Sequence, residues 1–196
     1  MRFLSALAFV LLLSSAASAG AAMPATRIVL ITITNPSTGA LSSGYTIAQR
    51  GSGSCWTSST TAQRPDAWRC MRNNGIYDPC FAPATANPRV VYCVASIRTK
   101  HVFAMQLTHA LPHELANAVT PTTRAMPWSI DLADGTSCDY SSGATGVVGG
   151  RRVNFFCSGG RVLLGDPDRS EPVWHIRAMP QDGGKTALVT IAAAYF

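Results

Sequence analysis

Short runs of strand-like apolar residues, in places alternating with polar ones at a period of two, recur along most of the chain between turn residues. Arg27 to Thr34 (RIVLITIT) is dense in β-branched residues. Arg89 to Ile97 and His101 to Thr108 follow, and Trp128, Ile130 and Leu132 alternate with Ser129 and Asp131. Such runs predict half-buried strands. Arg152 to Cys157, Arg161 to Leu164, Val173 to Ala178 and Ala187 to Phe196 are each bounded by Gly, Pro, Asp or Ser, at spacings that suit hairpins. Two stretches carry helix signals instead. In residues 65–74, Pro65 and Asp66 suit a first turn, Trp68 and Met71 share a face, and Asn74-Gly75 provides a stop. After Pro112, Leu111, Leu115 and Val119 recur every four residues until Pro121. Without regular βαβ alternation or an internal repeat, the expected fold is mainly β: an antiparallel sandwich or barrel-like sheet with one or two short helices.

The first residues change the picture of where this fold works. Arg2, an apolar run from Phe3 to Leu13 and the small-residue tail Ala17-Ser18-Ala19 read as a secretory signal peptide over residues 1–19. Residues 20–196 are then expected to form a single exported β-rich domain, periplasmic or secreted. A membrane span takes about 20 apolar residues, and no run of that length appears, so none is expected. The net charge of +6 is spread over arginines from Arg27 to Arg177, with Arg151-Arg152 the only adjacent pair beyond the leader. A stripe able to follow a phosphate backbone is missing, and a nucleic-acid role is set aside.

Six cysteines in an exported chain predict three disulfides. Cys138 and Cys157 stand apart from the others and are expected to pair. Cys55, Cys70, Cys80 and Cys93 leave three connectivities open, of which Cys55–Cys70 with Cys80–Cys93 closes short loops. No Cys-x-x-Cys pair supports a metal or redox site, so the cysteines read as staples.

Catalytic signatures are weak by comparison. His101, His109, His113 and Glu114 are close in sequence, yet Pro112 interrupts the helical spacing a metal-binding pair would need, and no cofactor or metal is expected. The nucleophile elbow Gly-x-Ser-x-Gly does not occur. Asp131, Asp134, Asp166 and Asp168 could supply paired carboxylates, but Asp134-Gly135 and Asp166-Pro167-Asp168 read as turn chemistry. Of the four tryptophans, Trp128 and Trp174 sit in strand-like runs that favour core. Trp56 lies in a Gly-Ser stretch read as a loop, where ligand contact and packing on Cys55 compete.

Gly53-Ser54-Cys55-Trp56, Asp66-Ala67-Trp68-Arg69-Cys70, Ile76-Tyr77-Asp78-Pro79-Cys80-Phe81, and Trp128 to Leu132 through Asp134 to Cys138 form a long Cys-anchored pattern. It resembles a family of secreted bacterial domains with no assigned activity, found alone and as extracellular parts of envelope proteins. The resemblance implies export and a Cys-tied domain, and it lends no catalytic residue. The expected function is an interaction module of the envelope or exterior, binding an envelope protein or cell-wall polymer through loops around Trp56, Tyr77 and Arg151. The alternatives are a periplasmic hydrolase of envelope polymers using Asp166 or His109, and an inhibitor of foreign hydrolases.

Overall fold

A computed structural model describes residues 23–35, 37–85, 87–112 and 125–196. The leader and the helix expected after Pro112, with His113 and Glu114, lie outside them. The described residues contain strands and turns and no helix, so none offers a helix long and apolar enough to cross a membrane.

Five strands close into a first barrel: β2 (Thr46–Ser58), β3 (Ala67–Arg72), β4 (Gly75–Phe81), β5 (Val90–Val94) and β6 (His101–Leu107), with β1 (Arg27–Val29) lying outside it. Each strand is antiparallel to the next. An odd-numbered meander must close with its first and last strands parallel, and β2 pairs β6 in that sense from Thr46↔His101 to Gly53↔Leu107. A ring this small has no lumen. Cys55, Cys70, Cys80, Cys93, Val91, Phe103 and Met105 fill it. The filling explains the glycines of β2: a Cβ on Gly53 would lie 2.5 Å from the Met71 carbonyl oxygen and 2.7 Å from the Met105 sulfur, and one on Gly51 would meet the Arg72 guanidinium at 2.7 Å.

The second ring is β7 (Ser129–Leu132), β8 (Ser137–Tyr140), β10 (Arg151–Cys157), β11 (Arg161–Asp168), β12 (His175–Pro180) and β13 (Ala187–Tyr195), closed by β13 pairing β7. The two-residue β9 (Val147–Val148) adds to β10, and β1 runs parallel to β13. Ile130, Leu132, Phe155, Leu163, Ile176 and Ile191 form its interior. A third cluster joins the rings: Ile31, Ile33, Trp128 and Tyr195 pack on Phe81, Val94, Ile97 and Val102.

The disulfides are Cys55–Cys70, Cys80–Cys93 and Cys138–Cys157, each joining residues directly opposite on neighbouring strands, and none of the six cysteines is free. Such bonds fit an oxidising extracellular or periplasmic space.

Four local expectations are corrected. The helix expected over residues 65–74 is strand β3 and a hairpin turn. Cys70 must meet Cys55 across a ladder, Trp68 and Cys70 face the barrel interior, and Asn73 and Asn74 take positive φ of 49° and 61°, the geometry of a two-residue hairpin turn rather than a helix stop. The Gly-Ser stretch before Trp56 is the long strand β2, not a loop, because its glycines admit the interior side chains. Asp166-Pro167-Asp168 belongs to β11, which absorbs them at an irregularity in its ladder with β12. The segment Arg27 to Thr34 is a strand only over β1 and continues as irregular chain.

Candidate functional site

The outer surface of β2, β3 and β4 is built by the same alternation that fills the interior. With Cys70 pointing in, Met71 points out, and the register Met71↔Ile76 sets those two side chains side by side about the Asn73-Asn74 turn. Trp56 occupies the extra position between Cys55 and Thr57, where the β2–β3 register shifts, and this turns its indole outward. Trp56, Met71 and Ile76 are 45, 45 and 54% exposed; Met71 and Ile76 stand directly opposite each other, and Trp56 lies on the next strand, diagonal to Met71, so the three form an open apolar strip on the sheet. The Arg69 guanidinium lies over the Trp56 ring, 5.9 Å from its centroid.

Beneath the strip, Asp78 fixes the neighbouring loop. Its carboxylate accepts from the hydroxyl of Ser59, from the Thr60 amide at 3.2 Å and from the Thr60 hydroxyl at 2.8 Å. Arg69 Nε stands 3.9 Å away, an ion pair beyond hydrogen-bond distance. Beside the strip a cavity of about 420 Å³ opens between β4 and the strands β5, β6 and β2, lined among others by Ile76, Tyr77, Asp78, His101 and Phe103. Tyr77 stacks on Phe103 with ring centroids 5.1 Å apart, and Arg72 lies over Phe103 at 5.1 Å. A larger cavity, about 610 Å³, lies beside Trp68 and His109 and runs to Pro112, where the described chain stops.

The residues expected to bind are thus distributed. Trp56 is on the outer face of the first barrel, while Tyr77, half-buried, points inward to the barrel mouth and lines the cavity. Arg151 is on the second barrel, at the start of β10 after the Gly149-Gly150 turn. Trp56 and Tyr77 sit in strands, not loops. Met71 and Ile76 join this face without having been singled out by the sequence pattern. Their signal was the symmetry of two apolar residues about Asn73-Asn74, which becomes visible once that dipeptide is read as a turn.

The catalytic alternatives find their groups dispersed or engaged. His101 opens β6 and His109 lies two residues beyond its end, on the order of 25 Å of extended chain away, each with Nδ1 against a threonine hydroxyl, Thr46 at 2.8 Å and Thr108 at 3.0 Å. Asp134 accepts the Thr136 amide, which with the Thr136 hydroxyl and Arg161 holds its carboxyl at about 2. Asp166 accepts from Asn154, and Asp168 from the Ser170 amide, which keeps the Asp168 carboxyl below its ordinary value. Burial alone would push the Asp131 carboxyl up, but donation from the Tyr195 and Ser137 hydroxyls and the nearby Arg98 guanidinium hold it below its ordinary value. Among the described residues, the sulfurs of Cys70, Cys80 and Cys93 lie within 4.8 Å of one another, and all three are committed to disulfides.

No protein-family model, curated protein or solved structure matches the chain.

Proposed function

We propose that this chain is an exported, disulfide-stabilised interaction module that binds an envelope partner through the outer face of its first barrel. The observation that carries the reading is the strip Trp56–Met71–Ile76: three large apolar side chains held outward by a sheet whose interior is tied by two disulfides. Scattered single apolar residues on a surface need no explanation, but an adjacent set containing tryptophan beside arginine has the composition of a binding hot spot. Its rigidity lowers the ordering cost of association. Support for the alternative hydrolase is weaker, since Asp166 and His109 lie on different barrels and each has a local partner.

The test is cross-linking of mature protein in its host, with captured proteins and wall fragments identified by mass spectrometry. Trp56→Ala is expected to weaken capture of an enriched partner by about 2 kcal/mol, roughly 30-fold. Capture unchanged in Trp56→Ala and in Met71→Ser would place binding elsewhere.

A further inference from the structure

We propose that the free edge of β4 takes up an extended, acidic peptide segment of a partner protein as an added strand. This deepens the reading of the first barrel as the binding element and rests on it.

The ladder between β4 and β5 contains only Cys80↔Cys93 and Phe81↔Tyr92. Strand β5 ends at Val94, while β4 runs back to Gly75 and is paired over that length with β3 alone. The hairpin geometry says which groups are left over. A two-residue turn at Asn73-Asn74 makes Arg72 and Gly75 a hydrogen-bonded pair, so Met71 and Ile76 form the next, non-bonded pair. The Ile76 N–H and C=O consequently face away from β3, toward the side where β5 is missing.

That side is a cavity. Ile76, Tyr77 and Asp78, three consecutive residues, all line it. Successive side chains of a strand point to opposite faces, so a space touched by three in a row opens on the strand's edge and not on one face. Across it stand Val94, His101 and Phe103. The arrangement is a slot with a backbone edge on one wall and a mixed wall of Val94, His101 and Phe103 opposite, with the Tyr77 ring stacked on Phe103, and it is continuous through Ile76 with the exposed strip.

The occupant follows from two features. Strand-edge groups such as the outward N–H and C=O of Ile76 are complemented by another backbone, which a sugar polymer or a nucleic acid does not offer. Charge then selects among peptides. From Thr46 to Leu107 there are seven basic residues against two acidic ones, Asp66 and Asp78, whereas residues 125–196 have six against seven. Asp66 is paired with Arg64 at 2.7 Å, and Asp78 is occupied by Ser59 and Thr60. At the slot itself, the Arg72 guanidinium lies over the lining residue Phe103 and brings a cation to its rim. An extended segment alternating carboxylates with β-branched residues fits both features.

The probe is a capped hexapeptide alternating glutamate and valine, titrated into isotope-labelled mature protein and followed by amide chemical shifts. Saturable shifts at the amides of residues 75–78 are expected. The same peptide with N-methylated valines, which cannot complete the ladder, is expected to bind at least about tenfold more weakly, as is the version with lysine for glutamate. Ile76→Pro removes the edge N–H without removing a bond to β3 and should abolish the shifts, while Trp56→Ala should leave them in place. Absent shifts, shifts mapping away from β4, or equal binding of the N-methylated peptide would each overturn strand addition, the last showing attraction of anions only. These outcomes need no variant to fold. If the peptide fails while Trp56→Ala still loses the cross-linked partner, the interaction module stands and strand addition falls. If the peptide binds while that variant loses nothing, the strip is wrong and the edge is right.

Discussion

Gly53 shows how closely a single residue of β2 is fitted to its surroundings. Its hydrogen occupies the space between the Met71 carbonyl and the Met105 sulfur, and the backbone atom cannot move without disturbing the β3 ladder. Gly53→Ala is therefore expected to destabilise the protein by about 1–3 kcal/mol, measured as a lowered urea midpoint. An unchanged midpoint would mean that the barrel interior yields where it is described as full. The same residue explains a limit of reading from sequence. Gly-Ser-Gly-Ser carries loop chemistry, and only knowledge of what faces it across a closed ring converts it to strand. Trp56 was legible as a candidate because of its type, but its exposure comes from the register shift beside Cys55, which no local pattern announces.

At the scale of elements, the strands with clean alternation were legible: β6, β7, β10, β12 and β13 fall within or close to the expected runs. The failures cluster where a tertiary constraint overrides a local one. Pro65, Asp66 and the Trp68/Met71 spacing satisfy a helix, yet a cross-strand sulfur bond at Cys70 requires extended chain there. Chain spacing favoured the pairing that is found, because each bond closes a short loop, but it could not show that partners lie directly opposite in a ladder. Bonds spanning 13, 15 and 19 positions should each contribute about 3 kcal/mol by restricting the unfolded chain. Replacing Cys80 and Cys93 together by alanine is expected to lower the unfolding free energy by about that amount, read from denaturant unfolding under non-reducing conditions. A loss below 1 kcal/mol, about a third of that estimate, would show that the barrel packing alone sets the shape.

At the scale of the whole molecule, the two rings are joined by a polar latch as well as a shared core. Arg98, in the turn between β5 and β6, pairs with Asp131 of β7 at 2.8 Å and donates to the Ser129 hydroxyl at 2.9 Å, while the Tyr195 hydroxyl of β13 donates to Asp131 at 2.6 Å. Asp131 is held below its ordinary 3.8, so its contribution is present above that pH and is lost as pH falls through the lower folded value. Burial, followed by donation to Asp131, raises Tyr195 above its ordinary 10.0, so its contribution is present below that pH and is lost as pH rises through the higher folded value. Asp131→Asn is expected to flatten the acid decline in unfolding free energy and Tyr195→Phe the alkaline one, and equal slopes in variant and parent would sink the latch. The disulfide pattern has a further consequence, for biogenesis. Every cysteine is bonded to its immediate neighbour in the chain, first to second, third to fourth, fifth to sixth. In a chain delivered N-terminus first into an oxidising space, the next thiol to arrive is always the right partner, so oxidation in order of arrival makes the native set and leaves a disulfide isomerase nothing to correct.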